Sequence, residues 1–360
     1  VIGFLNKDQD FPDGEIHPGA LYGDFGPFCV NRDGVHEYIK EMYREVLSKY
    51  DLLTVGECSS AKIEDALKFA GYDRNELEMI FQFERIDSES EGGKWFEKPF
   101  DLLNLKKIMN KWQTELNGKA WNTLFWENHD QPRIVSRYKG DTTDKNRILC
   151  SKMLATCLYF QKGTPYIYQG QELGMTNNHF EKIEDFRDIE SINAFNELTT
   201  RKNAVSKEKM MFCLNRVSRD NARTPMQWSS EKNAGFTAGT PWINVNANYK
   251  TINAEMQIKD PDSVYSYYKK INCLRKNNPV IVYGDFEMLD FENKELFVYT
   301  RKLEEKKLLV ITNFTDKNVT YKIPDDFSSA KLMLGNYDSP EKSSEDLILR
   351  PYEALVLCKE

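Results

Sequence analysis

The chain has 360 residues and a mass of 42.0 kDa, too large for one small core, so a barrel-sized domain plus a smaller one is the natural expectation. With 40% hydrophobic and 29% charged residues it reads as ordinary globular protein rather than disordered chain. A net charge of −7, from 49 basic and 56 acidic residues, argues against nucleic acid or another polyanion as partner, and no window reaches the roughly 18 uninterrupted apolar residues of a membrane helix.

In chain order, 'VIGFLNKDQD' opens without Met, and Val1 to Leu5 reads as the end of a buried strand entered midway. The N-terminus is therefore read as artificial, and the lack of a signal peptide carries no information. 'VHEYIKEMYREVLSKY' (35–50) has apolar positions at helical spacing, followed by the strand 'DLLTVGE' (51–57) and the helix 'AKIEDALKFA' (61–70). 'EMIFQFE' (78–84) reads as a strand and 'DLLNLKKIMNKWQTEL' (101–116) as a helix. 'WNTLFWENHD' (121–130) is the next strand, 'KNRILCSKMLATCLYF' (145–160) its helix, and 'TPYIYQG' (164–170) the last strand of the series. Strands alternating with helices imply parallel βα units.

Spacing sharpens this. Glu57 and Asp130 are 73 residues apart, and Asp130 and Gly170 are 40 apart. At roughly 31 residues per unit of a (β/α)8 barrel, Glu57 and Asp130 fall two units apart at the same end of nearby strands. Five strands, the first cut short, amount to the C-terminal half of a TIM barrel. Residues 171–262 mix helix with polar loops, and 'SVYSYYKKINCLRKN' (263–277) is a further helix. From Val280 on, runs such as 'LFVYTRK', 'KLLVITNF' and 'ALVLCKE' mark a small all-β sandwich. The expected domains are a partial catalytic barrel over 1–279 and an antiparallel β domain over 280–360. Seven scattered cysteines without CxxC pairs point to reduced, mostly buried thiols in a cytoplasm, and no metal-ligand spacing appears.

In such a barrel the active site lies where strands end. Glu57, Glu84, His129–Asp130 and Gln169–Gly170 occupy four strand ends. Two carboxylates on nearby strands suit acid–base chemistry on a polar substrate. For Glu84 a helix cap or a loop salt bridge is the better account. Gly56 allows close approach beside Glu57, while Ser59 and Ser60 are available to cap the next helix. A lone His such as His129 is usually a satisfied buried group, and adjacent Asp130 and Arg133 bring a functional reading level with that one on pattern alone. Trp112, Trp121, Phe125 and Trp126 read as core rather than as a sugar platform.

'TVGE', 'WNTLFWENHDQPRIVSR', 'KMLAT', 'GTPYIYQGQELGMTN', 'DFRDIESIN' and 'SRDNARTPMQW', in that order, resemble the oligo-1,6-glucosidase group of glycoside hydrolase family 13, essentially from residue 1 to 360. The resemblance implies a retaining α-glucosidase. Glu57 matches its general acid/base, Asp130 the carboxylate that grips sugar hydroxyls and distorts the ring, and His129 the hydroxyl-binding neighbour. Arg219 and Glu190 match residues lining the glucose subsite or its neighbour, and Arg133 buttresses the loop. The nucleophilic Asp of the family falls immediately before Val1, so this polypeptide alone is expected to be inactive. A calcium-type structural loop also falls upstream, and the resemblance implies no cofactor, metal or membrane, an oligosaccharide substrate and a monomer. Val1 and 'FQFERIDSES' go with α-1,6 linkages, while 'GECSS' leans toward the trehalose-6-phosphate hydrolases; isomalto-oligosaccharide is the first expectation and a trehalose-phosphate or dextran-type glucoside the second. A second class with this barrel is the inactive partner domain of transporter heavy chains, which the retained Glu57, His129 and Asp130 disfavour.

Overall fold

The computed structural model describes residues 14–16, 23–24, 26–91, 93–343 and 346–360. The chain divides into two compact units, residues 1–88 with 107–123 and residues 89–106 with 124–360. The expected opening strand over 1–5 lies outside the described residues.

The first unit is built on a βαβ crossover. β1 (Val55–Glu57) and β2 (Met79–Phe81) pair in parallel, Glu57 opposite Phe81, with the helix Ile63–Ala70 between them. The sequence 'IEDALKFA' sets Ile63, Ala66, Phe69 and Ala70 on one face at helical spacing, and all four are buried. They share a core with Val35 and Ile39 of the helix Gly34–Glu45 and with Ile108 and Trp112 of the helix Leu102–Glu115. Burying a side chain the size of Phe69 contributes about 1.5–3 kcal/mol. His36 and Glu76, both buried, meet at 2.7 Å and tie the helix Gly34–Glu45 to the segment entering β2.

β3 (Thr123–Leu124) pairs with β4 (Thr164–Pro165), and the helix Asp144–Tyr159 of the second unit lies between them in the chain. Thr143 caps that helix by accepting from Asn146 N at 3.1 Å. The helix is buried almost all round. On one side Thr156 Oγ1 meets Tyr267 Oη of the helix Val264–Asn277 at 2.7 Å. On another it carries the β domain.

That domain has two antiparallel sheets. β5 (Asp285–Leu289), β6 (Leu296–Leu303), β7 (Lys306–Asn313), β9 (Lys331–Gly335) and β12 (Ala354–Lys359) form one, in the order β5-β6-β7-β12-β9. β8 (Val319–Lys322), β10 (Glu341–Ser343) and β11 (Asp346–Leu349) form the other. Alternation along β6 sends Leu296 and Val298 into the core shared with Tyr321 and Leu349, and Phe297, Tyr299 and Arg301 to the opposite face. Tyr299 Oη donates to Cys157 O at 2.9 Å. The Arg301 guanidinium donates to the carbonyls of Phe160, Ile281 and Gly284. Lys106, fully buried, donates to Asp290 O at 2.8 Å and Asn293 O at 2.7 Å, fastening the β5–β6 turn, and burial pulls its ammonium down to about 8. Lys106→Met is expected to lower stability by about 1–3 kcal/mol, because it leaves these carbonyls unpaired; a urea midpoint unchanged from wild type would count against this.

The expected helices are present, with trimmed ends: 35–50 breaks at Val46, whose φ of −130° and ψ of −64° are not helical. The strands are much shorter than expected. Apolar pattern persists where the ladder stops, since Phe125 and Trp126 remain buried beyond β3, with the Trp126 indole donating to Leu154 O at 2.7 Å. Glu84 opens a short helix, and its carboxylate accepts from Lys111 at 2.5 Å and Trp112 Nε1 at 2.8 Å, which is the ion-pair role. The serines after Glu57 do not cap the next helix. Asp65 does so from inside it, accepting from Lys62 N at 2.9 Å. Five of the seven cysteines are buried, and all seven are free thiols.

Candidate active site

Glu57 ends β1 with its side chain exposed, in the first unit. A Cβ on Gly56 would lie 2.7 Å from Leu77 Cδ1, so glycine lets this strand end pack closely on the segment entering β2. The remaining expected residues, His129, Asp130, Glu190 and Arg219, gather in the second unit.

Past β3 the chain turns sharply. Asn128 Oδ1 accepts from Asp130 N at 2.8 Å, which holds Asp130 at the tip of the turn. Its Oδ1 accepts from Arg223 Nη2 at 2.5 Å and from Arg219 Nη1 at 3.3 Å, and Arg223 Nε also donates to His129 O at 3.0 Å. His129 Nε2 stands 3.6 Å from Asp130 Oδ2, and its side chain is 61% exposed, so it faces outward rather than into a core. Arg219 is the hub. It reaches Asp130 with one nitrogen, Asp188 Oδ1 with Nε at 3.1 Å, and Glu190 with Nη2. Lys94 meets Glu190 Oε2 from the other side at 2.5 Å. The result is a chain of alternating charge, Lys94–Glu190–Arg219–Asp130–Arg223, with a partly exposed carboxylate presented at the strand exit.

Electrostatics follow. Burial works against the Asp130 carboxylate, but the Arg223 hydrogen bond, His129 and Arg219 outweigh it, and its pKa is held below the usual value. Burial likewise opposes the Arg219 charge, and Asp188, Glu190 and Asp130 more than offset it. A carboxyl depressed in the folded state contributes stability that is complete above about pH 4 and is lost as pH falls through its folded value. Asp130→Asn is therefore expected to flatten the acid limb of the stability profile. Urea midpoints that keep the wild-type pH dependence would contradict this.

Beneath the turn, Arg133 is fully buried. It donates to Glu127 Oε1 at 2.9 Å and to Gln169 O at 2.7 Å, and its backbone N donates to Asn177 Oδ1 at 2.8 Å. Glu127 Oε2 accepts from Ile134 N at 2.6 Å. Gly170, at φ 86°, lets the next loop close over this pair; a Cβ there would meet Met175 Sδ at 2.3 Å. Arg133 thus buttresses the loop, as expected from the sequence.

Sequence reasoning did not find Asp188, Arg223 or Lys94. Arg223 lies four residues after Arg219 in 'SRDNARTP', and Asp188 precedes Glu190 in 'FRDIES'; charge spacing within those two motifs was the available signal. Among the described residues no group of His, Cys, Asp or Glu could hold a metal ion, and no helix is long and apolar enough to cross a membrane.

The family model for the alpha-amylase catalytic domain matches residues 1–284, and the model for the alpha-amylase SusG C-terminal domain matches residues 296–356. An oligo-1,6-glucosidase of Parageobacillus thermoglucosidasius is 46% identical over 360 residues, which is 99% of this chain and 64% of that protein. A trehalose-6-phosphate hydrolase of Bacillus subtilis (strain 168) is 40% identical over 362 residues, 99% of this chain and 63% of that protein. The crystal structure of Bacillus licheniformis trehalose-6-phosphate hydrolase aligns with a TM-score of 0.87 at 46% identity, covering 93% of this chain and 61% of that one. That of isomaltulose synthase from Erwinia rhapontici NX5 aligns at 0.85 and 39%, covering 91% and 58%. The chain therefore spans just under two thirds of the length of these relatives. Its fold is an α-amylase-type TIM-barrel catalytic domain followed by an all-β domain.

Proposed function

Because the chain belongs to the alpha-amylase catalytic-domain family, we propose that it is part of a retaining, exo-acting α-glucosidase that cleaves α-1,6-linked gluco-oligosaccharides of the isomaltose type from the non-reducing end. The observation that carries this is the Asp130 carboxylate at the strand exit, gripped by Arg219 and Arg223 with His129 beside it. An ionised carboxylate flanked by donors suits a sugar ring whose hydroxyls must be held while positive charge develops at the anomeric carbon. In this reading Asp130 and His129 bind hydroxyls of the glucose being cleaved, and Arg219 and Glu190 line that subsite or the next. Glu57 protonates the glycosidic oxygen and then activates water. The reaction needs no cofactor, its partner is the oligosaccharide, and the protein acts as a cytoplasmic monomer.

Trehalose 6-phosphate is the second reading, favoured by Ser59 and Ser60 after Glu57 and by the trehalose-6-phosphate hydrolase relatives. Rates of the whole protein on isomaltose, maltose, trehalose and trehalose 6-phosphate test both. Highest kcat/KM on isomaltose supports the first; highest on trehalose 6-phosphate replaces it with the second, and no hydrolysis of any of the four ends both.

A further inference from the structure

Asp220, next to Arg219 in the chain, is fully buried. Its Oδ2 accepts from two successive backbone N–H groups, Arg187 at 2.7 Å and Asp188 at 2.9 Å. Its own N donates to Ser218 Oγ at 3.2 Å, and Ser218 Oγ meets Ser191 Oγ at 2.8 Å. Ser191 closes the loop by donating from Oγ, at 2.8 Å, and from N, at 3.2 Å, to Asp188 Oδ2. The ring Asp188–Ser191–Ser218–Asp220 is buried throughout. It leaves Asp188 Oδ1 as the oxygen facing Arg219 Nε. Asp220 Oδ1 has no hydrogen-bond partner among the described residues, so the carboxylate is committed to the two backbone amides through a single oxygen.

We propose that Asp220 is a positioning residue that fixes the segment Arg187–Glu190 against Arg219 and thereby sets how tightly the sugar subsite binds. The clamp acts through the backbone. Two amides pointing at one carboxylate oxygen fix the peptide planes on either side of Arg187, and Asp188 and Glu190 leave that fixed segment to meet the two sides of the Arg219 guanidinium. Released, Glu190 and Asp188 lose register with Arg219, and Asp130 keeps only Arg223 as a fixed partner. The chemistry at Glu57 is not touched, so binding rather than turnover carries the effect.

This rests on the glucosidase reading, and its test separates the two. In the whole protein, Asp220→Ala is expected to raise KM for isomaltose about 10-fold with kcat within about 3-fold of wild type. Asp220→Asn, which keeps an oxygen for both amides, is expected to restore KM to within about 3-fold. Hydrogen exchange at the amides of Arg187 and Asp188 reads the clamp without any activity. Protection there is expected to fall about 10-fold or more in Asp220→Ala and to persist in Asp220→Asn. Unchanged protection in the alanine variant, equal behaviour of the two variants, or a loss confined to kcat overturns the clamp. A wild-type protein that hydrolyses no α-glucoside overturns the glucosidase reading, while the exchange result still decides the clamp.

Discussion

Glu57→Gln in the whole protein is expected to slow isomaltose hydrolysis by about 10²–10⁴-fold, the usual worth of a positioned general acid–base. Glutamine keeps the shape of the side chain but cannot hand a proton to the departing glycosidic oxygen. KM should change little, since Asp130, His129 and Arg219 are untouched. Substrate choice discriminates further. A nitrophenyl glucoside leaves as a stable anion without protonation, so its first step should be nearly spared while hydrolysis of the glucosyl-enzyme remains slow. A burst followed by a slow steady state is the expected trace. A loss below 10-fold on isomaltose, or a nitrophenyl trace without a burst, would remove Glu57 from the acid/base role.

Arg133→Met should be the most destabilising single change near the site, by about 3–5 kcal/mol, because it strands the Glu127 carboxylate in the interior. Arg133 and Glu127 are 0% and 2% exposed, and the guanidinium also satisfies Gln169 O. The double variant Glu127→Gln with Arg133→Met removes the orphaned charge and should recover part of the loss. Additive losses in denaturant melts would mean that the two residues are not coupled. Activity should fall along with stability, because the turn bearing His129 and Asp130 rests on this pair.

How far the sequence could be read depended on the range of the interactions concerned. The helices Ile63–Ala70, Asp144–Tyr159 and Val264–Asn277 were legible because their apolar spacing is a local property. Strand ends were not, since a strand lasts only as long as its neighbour's ladder, and buried residues such as Trp126 continue past it. Asp130, His129, Arg219 and Glu190 stood out by resemblance, and the structure brings these four together. Asp188, Arg223 and Asp220 did not stand out. Each works through a partner far off in the sequence, and among the described residues the Asp220 carboxylate bonds to backbone amides, which leave no trace in residue identity.

The face of β6 that carries Tyr299 and Arg301 bears on where this protein could be cut. Arg301 satisfies Phe160 O and Tyr299 satisfies Cys157 O, so the β domain supplies donors to the end of the helix Asp144–Tyr159 that the barrel portion does not provide from its own chain, while Arg301 also holds Ile281 O and Gly284 O at the start of the β domain itself. Composition and pattern suggest a module that begins near residue 280, but the hydrogen bonds ignore that boundary. A stop codon after Gly284 should give aggregated protein, not a smaller enzyme, and fusion engineering or domain exchange would have to carry β6 together with the helix Asp144–Tyr159.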